Sequence, residues 1–470
     1  MHLCELVQCP SSIYSHERTI DNLRQLHHKI IMNQNAQFRP GPARMYLPAG
    51  GHLCRSGKNL SRVYGRSRLH SPMDFYLTVA DRFPQELVDE VVNNLDNPRD
   101  LSACSLVSSK WLEGSRRRLF EKVSLNTWNF DKWRRNIPPG PSGISAYVRS
   151  LSLRQARSIV SLGPETLMRI MDHLTSFRSL KTLFLQDVNF DELFNGPSLA
   201  KCFGHFGNSV RSLHLHGVRT DMGTLLFFIN LFPHLNRLTI TSPTLTGGVP
   251  EAPKEAHPLN GTLRLSDLGT TSQTLLCGIL LIPLRLEEIS ITHTRIADSE
   301  NLNRLIDMCS PTLKKLELAH VTSGACHAYY VGNSFTDDDP LDNEGNPVPV
   351  SLSPCLALRE FATNTTTIKR PSVWIEATLS TISFQATQLK RVVINVHCQL
   401  TSPDIDDQVH TEAWESLEDV LYGLALKLES DSKFELVFVA NPTYDEEQID
   451  LGEFLERLAE VAVVKFDSVR

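Results

Sequence analysis

Four histidines and one acidic stretch are the residues of this chain whose types and spacing could hold a metal ion. His27 and His28 are adjacent, and His214 and His216 are separated by one residue, but no cysteine or carboxylate stands at ligand spacing beside either pair. The segment DDDPLDNEG, residues 337–345, lacks the alternating aspartates and the closing glutamate of an EF-hand loop. We therefore expect surface histidines, a solvated acidic loop, no metal and no other cofactor.

The motifs that mark common enzyme classes are also missing from the sequence. It contains no glycine-rich phosphate loop, no GxSxG and no HExxH. A catalytic site dispersed through the fold would escape such a search. We expect a non-catalytic protein, and a cryptic enzyme stays open as an alternative.

The composition is that of an ordinary globular protein with an uneven distribution of charge. The chain has 470 residues, of which 41% are hydrophobic, and its net charge is −6, which allows two or three domains. Residues 1–80 hold ten Lys and Arg against four Asp and Glu, an excess of +6, so the other 390 residues carry −12. Ten cysteines without a CxxC pair favour free thiols in a reducing compartment. Because neither a membrane-length apolar run nor a signal peptide is present, we expect a cytoplasmic or nuclear protein.

The first 72 residues differ from the rest of the chain. They are rich in Gly, Pro, Ser and Arg and have no sustained period, which predicts a disordered basic tail. Three interpretations remain open: a floppy tail, a basic targeting or nucleic-acid arm, and an extension upstream of the true start. The last arises because Met73 opens MDFYLTVADRFPQELV, which would be a natural translation start.

Residues 83–125 predict three short helices, at about 84–95, 98–108 and 109–120. Proline stands at or near the first position of the first two helices. Their apolar residues fall on more than one side, and about 43 residues are marginal for an independent core. One set of these side chains can form an internal seam, so the other set must meet the adjoining domain or another protein.

From residue 148 onward the pattern apolar-x-x-apolar-x-apolar recurs. Between 210 and 313 the copies start at 210, 235, 260, 286 and 313, a nearly constant interval. The copy at 260 has Asn in the leading position and the copy at 358 ends in Thr, so these two are weak. The eleven copies are VRSLSL (148), LKTLFL (180), VRSLHL (210), LNRLTI (235), NGTLRL (260), LEEISI (286), LKKLEL (313), LREFAT (358), LKRVVI (389), FELVFV (434) and VAVVKF (461).

The alternation inside each copy is typical of a strand, and helical stretches such as 221–234 and 299–312 lie between copies. A strand and a helix every ~25 residues cannot bury an apolar side alone, whereas stacked units can, which predicts a solenoid with a parallel sheet. Residues 332–354 form a polar insertion. We expect 386–470 to close the solenoid as a cap, with FELVFV covered on both faces, one cover being residues 415–430.

The polar positions of the predicted strands point to the open face of the sheet. This face is either a binding surface for a protein substrate or merely a solvated sheet surface. Arg237 and Arg264 are expected to be neighbours, and two arginines beside hydroxyls could suit an acidic or phosphorylated motif. The candidate substrate face consists of His214, His216, Arg237, Thr239, Arg264, Glu288 and Lys315.

The three-helix segment resembles an F-box. The resemblance rests on FPQELVDEVVNNL, RDLSACSLVSSKW and LFEKVSL, and the copies that follow look like degenerate leucine-rich repeats. The layout is similar to the large fungal group of F-box proteins with irregular leucine-rich repeats. The resulting prediction is an α/β protein with a disordered tail over 1–72, a three-helix F-box over 73–125 and an irregular leucine-rich-repeat solenoid with a C-terminal cap over 126–470.

The resemblance implies a function as well as a fold. An F-box docks on the Skp-type adaptor of a cullin–RING ubiquitin ligase, and the repeat domain holds the substrate. Alternatives are an interaction scaffold without ligase activity and a nucleic-acid-associated protein that uses the basic tail; no membrane partner is expected. The implied adaptor-binding residues are Phe83, Pro84, Leu87, Val88, Val91, Leu95, Leu101, Cys104, Leu106, Val107 and Trp111.

Overall fold

The computed structural model describes the chain from Phe83 to Ser468 with several gaps, and the part from Gln85 onward belongs to one compact unit. The predicted tail, residues 73–82 of the predicted F-box, the pair His27 and His28, and the acidic segment 337–345 all lie outside the described residues. Those described are 83–126, 129–136, 143–155, 175, 177–193, 196–251, 253, 255–295, 299–322, 349–365, 373–382, 388–397, 407–428, 434–441, 457–458 and 462–468.

The three predicted helices are present as α1 (Gln85–Asn93), α2 (Pro98–Cys104) and α3 (Ser109–Phe120). Helix α2 begins as its sequence indicates, because Asn97 caps it by accepting a hydrogen bond from the Arg99 backbone N–H, and proline follows at the first helical position. It ends four residues earlier than predicted, in a turn over 105–107. Both α1 and α2 pack on α3.

The rest of the described chain is built around a twelve-stranded parallel sheet in which the strands pair in the order in which they occur along the chain. A second sheet pairs only β5 (Arg219–Asp221) with β7 (Thr244–Thr246). The large sheet consists of β1 (Lys122–Asn126), β2 (Ser150–Arg154), β3 (Thr182–Gln186), β4 (Ser212–His216), β6 (Arg237–Thr241), β8 (Leu259–Ser266), β9 (Leu284–Arg295), β10 (Lys315–Thr322), β11 (Glu360–Thr365), β12 (Arg391–His397), β13 (Phe434–Asn441) and β14 (Ala462–Ser468).

All eleven copies of the sequence pattern lie on strands of this sheet, including the two weak copies. One strand was missed. Strand β1 lies inside the segment assigned to the F-box, where the residues FEKVSL from Phe120 have the same apolar spacing as the later copies. The three helices therefore run directly into the first strand of the sheet.

Helices lie between most successive strands, and the predicted helical stretches 221–234 and 299–312 are confirmed. None of the helices in the described ranges is both long and apolar enough to cross a bilayer. The α-helices after α3 are α4 (Phe130–Asn136), α5 (Phe190–Leu193), α6 (Gly196–Phe203), α7 (Met222–Asn230), α8 (Ser272–Ile279), α9 (Ser299–Cys309), α10 (Val373–Ser380) and α11 (Asp407–Lys427), with short 3₁₀ helices at Ile144–Tyr147, Gly204–Phe206 and Gly269–Thr271.

On most strands two apolar side chains point to the helix side and join one continuous core, whereas β11 contributes Phe361 and the buried Thr363. In β4 these are Leu213 and Leu215, exposed by no more than 1%, and the buried leucines of α11 belong to the same core. Strand β13 is apolar on both faces, as predicted: Leu436 joins this core, while Val437 packs with Ala362 and Val393 on the opposite face. The face that is polar on the earlier strands therefore carries a small apolar cluster at β11–β13.

Gly261 explains why the copy at 260 is weak. It lies at a register shift between β8 and β9 and has φ 78°, a left-handed conformation that favours glycine. A Cβ atom there would collide with the backbone carbonyl oxygen of Asn236, which accepts a hydrogen bond from the Thr262 backbone N–H at 2.9 Å. At this register shift, the pair Asn260 and Gly261 stands where the other copies have an apolar leading residue.

The substitution Gly261→Ala is expected to lower the free energy of unfolding by about 2–4 kcal/mol, because left-handed strain adds to overpacking against a backbone atom. Gly247→Ala is the matched control, since Gly247 has φ 75° but open space around the missing Cβ. It should cost only about 1–2 kcal/mol. Urea unfolding followed by circular dichroism measures the free energy of unfolding of both variants. Equal losses of stability would contradict the predicted collision at Gly261.

Candidate functional site

The inner side of α1 holds the three helices together. Val88 and Val92, one helical turn apart, are buried by at least 99%, and both belong to the core that contains Leu119 and Phe120 of α3. The Gln85 side-chain amide donates to the Lys110 backbone oxygen at 3.4 Å. This contact places the beginning of α1 beside the beginning of α3.

The other apolar residues at this end of the helices face solvent. Leu87 is 46% exposed, and Leu106 and Val107, in the turn that leads into α3, are 84% and 45% exposed. Because the beginnings of α1 and α3 are adjacent, these three exposed side chains lie at the same end of the helices. Burying such side chains is worth roughly 25 cal/mol per Å², so an exposed group of them is a feature of partner-binding sites.

The other predicted adaptor-binding residues fall into three groups. Phe83 and Pro84 precede α1 and are exposed, Phe83 by 37%. Val88 and Leu101 are in the core, so they support the helices from within and are not available to a partner in this conformation. The remaining residues are partly buried: Val91, Leu95, Cys104 and Trp111.

Cys104 contributes as an apolar group. Burial raises the pKa of its thiol, and the nearby Asp100 carboxylate raises it further. The thiol is therefore protonated at neutral pH and is a poor nucleophile.

Two of the three arginines near the end of α3 form ion pairs. Arg118 pairs with Asp96 at 2.9 Å and with Glu121 at 3.1 Å. Arg117 pairs with Glu113 one turn earlier, at 3.1 Å on an exposed surface, where such a pair contributes about 0.3–0.5 kcal/mol.

The register of the sheet arranges the candidate substrate face in three rows, two of which extend from β4 to β10. One row runs across Ser212, Arg237, Thr262, Glu288 and Lys315, and the other across His214, Thr239, Arg264, Ser290 and Glu317. The predicted residue His216 is exposed and lies in a third row, opposite Thr241.

Arg237 and Arg264 occupy adjacent strands and adjacent rows, as the sequence predicts. They are exposed, and neither has a carboxylate within ion-pair distance among the residues that the structure describes. Between them on the sheet, the Thr239 hydroxyl is buried without a hydrogen-bond partner there. This part of the face therefore presents the positive charge of two arginines above a buried hydroxyl.

Burial and this charge both lower the pKa of the nearby His214 ring. Burial lowers the pKa of its ring to about 4, and the cations of Arg237 and Arg264 add to the shift. The neutral ring stacks on Phe184 with 4.2 Å between ring centroids, and its Nε2 lies 2.9 Å from the Ser212 Oγ. His214 is therefore uncharged at neutral pH, and the positive charge of this part of the face comes from the two arginines.

Charge on the later strands is arranged differently. Glu360 pairs with Lys315 at 2.7 Å and with Arg391 at 3.7 Å, and Arg391 continues to Glu435 at 3.5 Å. Lys465, 2.6 Å from Glu435, ends this row of alternating charges. Its hydrogen bond lowers the pKa of the Glu435 carboxyl. Lys315, a predicted substrate-face residue, is thus occupied within the chain.

Two residues of this face, Phe184 and Glu360, are not among the predicted ones. Phe184 occupies the middle position of the copy at 180, which has the same offset as His214, so extending the offset rule to that copy would have found it. Glu360 could have been found in the same way from the copy at 358. No cluster of three or more metal-ligating side chains occurs in the parts of the chain that the structure describes.

Comparison with known proteins adds little. No protein-family model matches the sequence, and no curated protein matches it. Among solved structures, a chain in the crystal structure of the Rad7 and Elc1 complex in yeast aligns over 81% of this chain and 92% of that one, with 12% sequence identity and a TM-score of 0.28. A TM-score this low does not establish a shared fold.

We expect an NMR titration of His214 to give a pKa of about 4. The unfolded chain binds more protons between that value and the ordinary pKa of about 6.5, so His214 lowers stability as the pH falls through this window. Arg264→Gln should raise the His214 pKa because it removes a nearby cation. Arg285→Gln, an exposed arginine that does not contribute to the shift, is the control. A wild-type pKa near 6.5 would contradict this description.

Proposed function

We propose that this protein is the substrate-recognition subunit of a Skp–cullin–F-box ubiquitin ligase. In this proposal α1–α3 are an F-box that docks on a Skp-type adaptor, and the parallel sheet with its helices is an irregular leucine-rich-repeat solenoid that holds the target. The observation that carries the proposal is the exposure of Leu87, Leu106 and Val107 on helices whose sequence resembles an F-box.

The arrangement of the helices suits docking. The buried residues Val88 and Leu101 fix the helices against α3, so the exposed residues are presented on a rigid support. A preorganised apolar surface loses little conformational entropy when it binds. A standard interface buries about 800 Å² on each partner, and its largest contributions come from a few central anchors. We therefore narrow the direct contacts on the helices to Leu87, Leu106 and Val107, flanked by Val91, Leu95, Cys104 and Trp111.

The proposed mechanism requires no catalysis by this chain. The subunit holds a lysine of its target close to a ubiquitin-charged conjugating enzyme and so raises the effective concentration of that lysine. A continuous twelve-stranded sheet suits this role, because a stiff connection confines the target to a smaller volume than a flexible one. The function would operate in the cytoplasm or the nucleus.

The target surface in this proposal is the open part of the polar face around His214. The exposed Arg237 and Arg264 favour a target segment that carries carboxylate or phosphate groups. Target retention after alanine substitution of both arginines tests this assignment, and unchanged retention of targets would rule it out.

Two alternatives make different predictions. An interaction scaffold that binds the adaptor but assembles no ligase would lack a cullin after purification from cells, whereas the ligase subunit retains it. A nucleic-acid-associated protein would lose its RNA or nuclear retention when residues 1–72 are deleted.

The substitution Leu106→Asp combined with Val107→Asp should weaken binding to a purified Skp-type adaptor by more than about 30-fold, the loss typical of removing a hot spot. Both side chains are exposed, so the free energy of unfolding should change by less than about 1 kcal/mol. Isothermal titration calorimetry with the full chain measures the affinity.

Leu426→Asp is the matched control for that experiment, because Leu426 is a leucine 51% exposed on the distant helix α11. It should bind the adaptor like the wild type. Equal affinity of both variants, or no affinity of the wild type for the adaptor, would contradict the proposed docking surface.

A further inference from the structure

A cavity of about 350 Å³ lies where the end of α3 meets the beginning of the sheet. Its walls come from three separate segments: α3, the 3₁₀ helix with the residue pair that follows it, and the loop before β3. The lining residues are Arg117, Ala146, Tyr147, Arg149, Ser179 and Lys181.

Two of the cationic residues are fixed by the sheet itself. Arg149 and Lys181 both occupy the second position of a sequence copy, immediately before β2 and β3. The Arg149 backbone N–H donates to the Glu121 carbonyl at 2.9 Å, and the Lys181 N–H donates to the Arg149 carbonyl at 2.7 Å. Because β2 and β3 pair in parallel register, these two residues lie side by side at the N-terminal ends of the strands.

The positive charge of the cavity is only partly compensated. Arg117 has one partner, the exposed carboxylate of Glu113. Arg149 and Lys181 have no carboxylate within 4.0 Å among the described residues, and the Glu121 carboxylate is directed to Arg118 instead. Three cations around one cavity with a single counter-charge produce a positive potential that attracts anions.

We infer that this cavity binds a small anion that carries two or more phosphate groups. Its volume lies in the range of small-molecule sites. A single phosphate, with a charge of at most about −2, could offset the uncompensated charge but is too small to fill the cavity and reach all three of its walls. The arginines can each bind phosphate oxygens through two N–H groups, and the hydroxyls of Tyr147 and Ser179 line the same cavity.

Such a ligand would connect α3 to β2 and β3. Because its contacts come from three segments, binding requires that these segments keep their relative positions, and it should stabilise the folded chain. The inference goes beyond the proposed ligase role and does not depend on it, since none of the lining residues belongs to the apolar surface of Leu87, Leu106 and Val107.

Calorimetric titration of the full chain with sodium tripolyphosphate tests the inference. Saturable binding is expected, with inorganic phosphate binding at least about tenfold more weakly, and the affinity should fall as salt is raised. Arg149→Gln and Lys181→Gln should each weaken tripolyphosphate binding by about tenfold or more, because each removes a charge-assisted contact.

Lys390→Gln is the matched control. Lys390 also precedes a strand, β12, and its backbone N–H donates to the residue before the neighbouring strand in the same way, but it lies at the other end of the sheet. Unchanged affinity in Lys390→Gln, together with unaltered circular dichroism of all three variants, supports a local site. No tripolyphosphate binding by the wild type, equal weakening in Lys390→Gln, or displacement of tripolyphosphate by a single-stranded RNA that binds more tightly would overturn the inference.

Discussion

The parallel register of the apolar strand residues is the constraint on which the rest of the structure depends. A single strand contributes two such side chains and a short helix a few more, which is too little to form a core alone. Hydrogen bonding between neighbouring strands brings the same position of each copy into one line, so that the units share a core. The central line consists of Leu151, Leu183, Leu213, Leu238, Leu263, Ile289, Leu316, Phe361, Val392 and Leu436.

The same register determines the two charged regions of the sheet, since side chains alternate along each strand. Aligning the leucines also aligns the polar positions between them, so charges are paired where opposite signs adjoin, as in Lys315, Glu360 and Arg391. They remain unpaired where hydroxyls adjoin, as at Arg237 and Arg264. At the N-terminal ends of β2 and β3 the register likewise places Arg149 beside Lys181. Three helices continue directly into β1, which keeps their apolar surface in a fixed position relative to these regions.

The sequence predicts the strands well because their period is local and repeated eleven times. It does not predict β1 as a strand, because β1 directly follows the helices and its copy of the pattern lies in the segment that resembles an F-box. The sequence does not show that Val88 is buried while Leu87 is exposed, because adjacent apolar residues on a short helix do not indicate which one faces α3. The cavity requires Arg117, and no local pattern connects an arginine on α3 with the loops before β2 and β3.

Docking of the exposed end of α1 and the turn before α3 on a Skp-type adaptor is the main proposal for this protein. Hydrogen–deuterium exchange of the full chain, with and without the purified adaptor, tests it directly. Docking as proposed slows exchange over residues 83–111 and leaves the strands of the open face, β4 to β9, unchanged. Unaltered exchange at α1 and the 105–107 turn in a complex that forms, or protection confined to the sheet, would contradict the claim.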